Sequence, residues 1–262
     1  MINLTLIGIG TGNPRHLTLQ AIDAINAADL ILIPTKGAEK DDLAGLRRQI
    51  CADLLTNPAT KVVEFALPVR DPAIADYRNR VEAWHDAIAA IWAETIERYL
   101  GDGTRVGFLV WGDPSLYDST LRIADRVTAM RPMRVQVIPG ITSIQALTAA
   151  HAIPLNQING PVVVTTGRRI RDHGFPAGAD TAVVMLDGEL SFRGLDPEGL
   201  HIWWTGYAGM ENEMSLAGPV ASVTEAIAEA RASARATHGW IMDIYLLRRD
   251  QPASAQADHT LD

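Results

Sequence analysis

Val110-Trp111-Gly112-Asp113-Pro114-Ser115-Leu116-Tyr117-Asp118-Ser119-Thr120 turns an apolar strand directly into a helix. The preceding run, 105–111 (RVGFLVW), is almost continuously apolar, as in a strand buried on both faces. Gly112 lets the backbone turn or approach a ligand, and Asp113-Pro114 stops the strand. Ser115 or Asp118 is placed to cap a helix whose apolar face continues through Leu121, Ile123 and Ala124. In an open parallel sheet the loop at a strand's carboxyl end is the usual ligand crevice. The turn therefore reads either as a plain strand-to-helix connection or as the edge of a binding site.

Both flanks of this turn alternate strand and helix, the βαβ texture of a parallel sheet. Upstream, 3–9 reads as a buried first strand running into Gly8-Ile9-Gly10-Thr11-Gly12-Asn13-Pro14. A helix is expected over 17–28, with Leu19, Ile22 and Ile25 on one face and Thr18 as its cap. Next come a strand at 30–33, a helix over 41–55 with Leu43, Leu46, Ile50 and Leu54 inward and Arg47-Arg48 outward, and a strand at 62–67. Tyr77, Val81, Trp84, Ile88, Ile91 and Tyr99, broadened by Trp92 and Ile96, predict a long amphipathic helix with His85 on its surface. Downstream, a fifth strand at 134–138 ends in Pro139-Gly140-Ile141-Thr142-Ser143, and a helix follows over 144–152.

Beyond that helix the texture changes: 162–166, 181–186, 202–205 and 240–247 are strand-like, and only 223–236 reads as helix, opened by the capping pattern Ser222 to Glu225. The expected organisation is an α/β domain over 1–140, an α+β domain over 141–250 and a disordered tail over 251–262. The glycine-rich first loop suggests a dinucleotide site only weakly. Its third glycine follows the second by two residues instead of three, and no acid ends the second strand.

A net charge of -8 makes a general nucleic-acid or anionic-membrane surface a poor expectation. Cys51 is the only cysteine, which rules out an internal disulfide and a cysteine metal cage and agrees with a reducing cytoplasm. The opening MINLTLIGIG lacks the flanks of a signal peptide, and no apolar run reaches the roughly 20 residues of a membrane helix, so a cytoplasmic protein is expected. The seven histidines are scattered with no i, i+4 pair, and no metal is expected.

Three motifs stand in register: GIGTGNPRHLT after the first strand, GDPSLYDST after the fourth and PGITSIQALTAAHAIPL after the fifth. In order and spacing they resemble the tetrapyrrole methyltransferases that use S-adenosylmethionine. KGAEKDDLAGLRRQIC, VWGDPSLYDSTLRIAD, TTGRRIRDHG, VVMLDGE and GWIMDIYLLR narrow the resemblance to the branch serving aerobic cobalamin biosynthesis. It implies the two-domain, class III methyltransferase α/β fold, with S-adenosylmethionine in the interdomain cleft and a homodimer. The implied reaction is methylation of C1 of precorrin-5 with loss of the C20 acetyl group as acetate.

By motif position the resemblance places Pro14, Trp111, Gly112, Asp113, Leu116, Thr142, Ser143, Leu186, Asp187, Tyr207 and Ala208 at the cofactor. It puts Gly10, Thr11 and Gly12 on the tetrapyrrole side. A substrate with many carboxylates calls for a local basic lining. Arg15, Lys36 and the loop residues Arg168, Arg169 and Arg171 are the candidates, with a solvated basic loop the alternative. Acetyl hydrolysis needs a positioned water, a proton acceptor and oxyanion donors. Asp113, Asp118 and Tyr117 are the first candidates, and Asp187, Glu211, His151 and His173 remain open. Asp118 stands where many relatives carry glycine after the tyrosine. The alternative functions are a sister methylation on this fold, at another precorrin carbon, a protein histidine or ribosomal RNA, and a non-catalytic module binding S-adenosylmethionine or a corrinoid.

Overall fold

The computed structural model describes residues 1–36, 42–239 and 241–250. The chain divides into two compact units, Met1–Thr142 and Ser143–Asp262. The first is a parallel sheet of β1 (Ile2–Gly8), β2 (Leu30–Thr35), β3 (Lys61–Ala66), β4 (Arg105–Val110) and β5 (Met133–Ile138), in the order β3-β2-β4-β1-β5. Its helices are α1 (Leu19–Ala27), α2 (Asp42–Leu54), α3 (Tyr77–Leu100) and α4 (Thr120–Met130). Strand alternation sends Leu4, Leu6, Val106 and Phe108 to one face, packed on α3 and α4. Ile7, Ile9, Ile31 and Leu109 go to the other, packed on α1 and α2. On the α3 face Trp92 lies 4.3 Å from Phe108 and 6.5 Å from Phe65, centroid to centroid. Each such pair contributes about 1 kcal/mol beyond its area.

Four expectations are corrected here. Leu19 is 81% exposed. Thr18 does cap α1, its hydroxyl accepting the Ala21 N–H, but the buried line is Ala21 and Ile25. The seam of α3 runs through His85, Ile88, Ala89, Trp92, Thr95, Ile96 and Leu100. Tyr77 and Tyr99, at the helix ends, stay exposed, and His85 is buried instead of on the surface. Arg47 also turns inward, at 8% exposure, while Arg48 pairs with Glu64. Asp41, in the expected helix 41–55, lies outside the described residues. Cys51 is buried, and burial pushes its thiol up to about 11.

The second unit holds β6 (Val162–Thr166), β7 (Thr181–Met185), β8 (Leu200–Gly206), β9 (Met214–Pro219) and β10 (Asp243–Arg249), in the order β6-β7-β10-β8-β9. Only β6 and β7 pair in parallel. Its helices are α5 (Ser143–Ala150), α6 (Gly167–His173) and α7 (Val220–His238). Ile170, Phe192, Trp204, Ile227 and Tyr245 share its core. The expected loop after β6 is helix α6, and β9 had no counterpart in the sequence reading. Helix α7 starts behind Pro219, so Ser222 and Glu225 lie inside it and form no cap. Trp240 and the expected tail 251–262 fall outside the described residues. Among the described residues no helix is long and apolar enough to cross a membrane.

Candidate active site

In the first unit the carboxyl ends of β1, β4 and β5 meet through glycine. A Cβ on Gly8 would stand 2.5 Å from the Gly140 nitrogen, and one on Gly140 would stand 2.0 Å from the Gly112 oxygen. Gly10 and Gly112 exchange backbone hydrogen bonds of 3.3 and 2.8 Å, tying the first loop to the Gly-Asp-Pro loop. Gly112 has φ +65°, with open space where a side chain would project. Half-buried Trp111 and Leu116 flank this open backbone, and Thr142 and Ser143, also half-buried, follow the β5 loop.

Asp113 joins two of these loops. One carboxylate oxygen accepts the Ser115 N–H and hydroxyl, and the other accepts the Gly140 N–H at 2.9 Å. Burial raises its pKa, but these donors outweigh it and hold the carboxyl below the ordinary aspartate value. Both Asp113 oxygens are thus engaged in tying the two loops together. Asp118 differs: one oxygen accepts the Thr120 N–H at 2.6 Å, securing the start of α4, and the other has no hydrogen-bond partner among the described residues. Ser119 occupies the N-cap without a side-chain bond. Tyr117 adopts φ +48° and is 46% exposed, with burial raising its phenol.

Gly10 and Gly12 have φ +74° and +111°, but Thr11 is buried, its hydroxyl 3.3 Å from His16 Nδ1. Pro14 and Arg15 are exposed on a single 3-10 turn, Pro14–His16, entered through Asn13, whose side chain accepts the Arg15 N–H. Lys36, exposed at the end of β2, lines a cavity with Arg47, Trp111 and Asp118.

In the second unit the loop after β7 carries the corresponding features. Leu186 is 68% exposed at φ +54°, a strained conformation for a branched side chain. Asp187 behind it is buried and fully engaged: Oδ1 accepts the Glu189 N–H and Ser191 hydroxyl, and Oδ2 accepts the Ser191 N–H and the Tyr245 hydroxyl. Burial raises its pKa, yet the donors, Tyr245 first, hold it below the ordinary value. Arg231 reaches from α7 to the carbonyls of Asp187 and Gly188 and to the Asp243 carboxylate. Gly167 leaves room for this arrangement, since a Cβ there would come within 2.3 Å of the Asp187 carboxyl carbon. Tyr207, at φ +51°, is buried beside buried Ala208, and its N–H donates to Met242 O.

Of the basic candidates, Arg168 and Arg169 are exposed on α6, not on a loop. Arg171 forms exposed ion pairs with Asp172 and Glu189, at 3.0 and 2.6 Å. His151 is satisfied by Trp204 O and Thr205 Oγ1, and burial lowers its pKa. His173 and Glu211 are exposed. Among the described residues no group of three His, Cys, Asp or Glu side chains could hold a metal. Arg231 and Tyr245, which hold the loop after β7, carry no signal in the sequence pattern, and Arg47 was expected to face outward.

Residues 3–224 match the family described as Tetrapyrrole (Corrin/Porphyrin) Methylases. The chain belongs to the tetrapyrrole methylase family. Within it, the chain is 50% identical over 251 residues to a precorrin-6A synthase [deacetylating] from Sinorhizobium sp., covering 95% of this chain and 96% of that one. It is 30% identical over 188 residues to a precorrin-2 C(20)-methyltransferase from Sinorhizobium sp., covering 70% and 73%. Among solved structures, a cobalamin synthesis related protein (CobF) from Corynebacterium diphtheriae superposes with TM-score 0.81 at 38% identity, covering 95% and 99%. A uroporphyrin-III C-methyl transferase from Thermus thermophilus, complexed with S-adenyl homocysteine, shares the tetrapyrrole methylase fold at TM-score 0.59 and 18% identity, covering 94% and 92%.

Proposed function

We propose that this tetrapyrrole methylase transfers a methyl group from S-adenosylmethionine to C1 of precorrin-5 and releases the C20 acetyl group as acetate, giving precorrin-6A. The observation that carries this reading is 50% identity over 95% of the chain to a precorrin-6A synthase [deacetylating]. The protein acts in the cytoplasm as a homodimer.

The loops fit an adenosyl cofactor. The open backbone at Gly112 and the exposed, strained Leu186 are features that a bound group would explain. When bound, S-adenosylmethionine supplies a methyl group activated on a sulfonium. Pro14, Trp111, Gly112, Leu116 and Thr142 of the first unit would serve as its contacts, and so would Ser143, Leu186, Tyr207 and Ala208 of the second. Asp113 and Asp187 fix the loops that carry these groups. Gly10, Gly12, Arg15, Lys36, Arg168 and Arg169 meet the tetrapyrrole. The buried Thr11 shapes the first loop from behind. Alignment of the reacting carbon with the methyl group supplies most of the rate of that step.

Deacetylation uses water. The water oxygen bonds to the acetyl carbonyl carbon, the bond from that carbon to the macrocycle breaks with its electron pair left on the macrocycle, and acetate departs. Asp118, one oxygen of which has no hydrogen-bond partner among the described residues, accepts the proton from the water, and the Tyr117 phenol donates to the developing oxyanion.

The test is an anaerobic incubation with S-adenosylmethionine and enzymatically prepared precorrin-5, following product mass and free acetate together. One methyl gained with one acetate released is the expected result. A methyl gained without acetate reassigns the substrate. Binding of cofactor without turnover, while a known precorrin-6A synthase works in parallel, overturns the reading.

A further inference from the structure

A cavity of about 220 Å³ opens in the first unit near the ends of β2 and β4. Its walls include Ala44 and the indoles of Trp84, Trp92 and Trp111, and its polar groups include Arg47 and Asp118. Arg47 is the unusual member. More than nine-tenths buried, it donates from Nε to Leu109 O at 2.8 Å and from Nη1 to Leu43 O at 3.2 Å. Those bonds use two of the five guanidinium N–H groups. No carboxylate lies within 4.0 Å of it among the described residues, and Asp118 favours its charge only from a distance. Burial pulls the guanidinium down to about 10, the expected penalty for desolvating a cation. Trp92, 1% exposed, has an Nε1–H with no acceptor among the described residues. A largely apolar cavity whose buried cation has no ion pair among the described residues, with a wall indole N–H that finds no acceptor among them, suits a small anion with a hydrocarbon tail.

We propose that this cavity is a carboxylate site in which Arg47 holds a two- or three-carbon aliphatic acid, its chain lying against Ala44, Trp92 and Trp111. The acid is either free acetate leaving the reaction or an acetic or propionic acid side chain of the tetrapyrrole. The carboxylate chemistry is common to both, and only the choice of source rests on the reaction proposed above. Paired donation from a guanidinium matches a carboxylate.

Three wall indoles make intrinsic fluorescence the readout. The full chain, Arg47→Gln and Ala44→Leu are titrated with sodium acetate against sodium chloride at matched ionic strength, and the KM and kcat for precorrin-5 are measured for each. A saturable change with acetate alone, weakened about tenfold or more in R47Q and in the cavity-filling A44L, identifies free acid as the occupant. No acetate response, together with a KM for precorrin-5 raised about tenfold in R47Q at nearly constant kcat, identifies a substrate side chain. If neither quantity depends on Arg47, the carboxylate site is overturned. Should R47Q fail to fold by circular dichroism, an acetate response and a KM unchanged in A44L overturn it instead. If the wild type does not turn over precorrin-5, the reaction proposed above fails. The acetate titration still decides the cavity, and a flat response overturns the site.

Discussion

Asp187 and Tyr245 show how one buried side chain fixes a loop whose outer residue faces solvent. Tyr245→Phe removes the hydroxyl that donates to Asp187 Oδ2 at 2.6 Å and leaves that oxygen with the Ser191 N–H. The expected cost is about 1–3 kcal/mol in urea denaturation, with a several-fold rise in the KM for S-adenosylmethionine. A second residue-scale prediction concerns Asp29, whose pKa the Arg105 hydrogen bond lowers from 3.8 to about 2. The unfolded chain therefore binds the proton more readily, so the contribution of Asp29 to stability is full above about pH 4 and is lost as pH falls toward 2. Asp29→Asn is expected to be less stable than the wild type at pH 7, with the gap closing across that interval. At this scale the sequence was least legible. Periodicity places a position on a face, but it does not tell whether a long polar side chain there follows the face inward. Arg47 does so because the Leu109 and Leu43 carbonyls await it, and His85 does so because α4 covers that side of α3.

Elements were legible where pattern and neighbours agreed. The runs of β1, β2 and β4 are buried on both faces and read as strands directly. Helix α6 was hidden because seven residues opening on Gly167 and carrying three arginines show no apolar period. Strand β9 was hidden because MSLAGP ends in residues that normally stop a strand. The motifs drew attention to the Gly-Asp-Pro loop and Leu186, but not to the long-range contacts from Gly140 and Tyr245 that hold these loops. The strand ends carry two predictions. Gly140→Ala drives a methyl group to 2.0 Å from the Gly112 oxygen and should cost about 3 kcal/mol or abolish folding, as read by urea denaturation. Leu186→Gly relieves a φ of +54° and should gain about 1 kcal/mol in stability while raising the KM for S-adenosylmethionine. A variant losing both stability and affinity would assign Leu186 to packing alone.

At the scale of the molecule, each unit owns a five-stranded sheet and its own core. The stretch 1–142, produced alone, is expected to give an α/β circular dichroism spectrum and a cooperative melt. The change of texture after the fifth strand was visible in the sequence because βαβ alternation stops there, and the second sheet is correspondingly mixed. Sheet order in the first unit also sets a timetable for synthesis. Strand β1 precedes the other four strands of its sheet in the chain, yet its two neighbours are β4 and β5. At roughly 5–20 residues per second, about a hundred residues must emerge first, a wait on the order of ten seconds. Throughout that interval Leu4, Leu6 and Ile7 have no sheet to enter, so the nascent chain exposes apolar surface of the kind that holding chaperones bind.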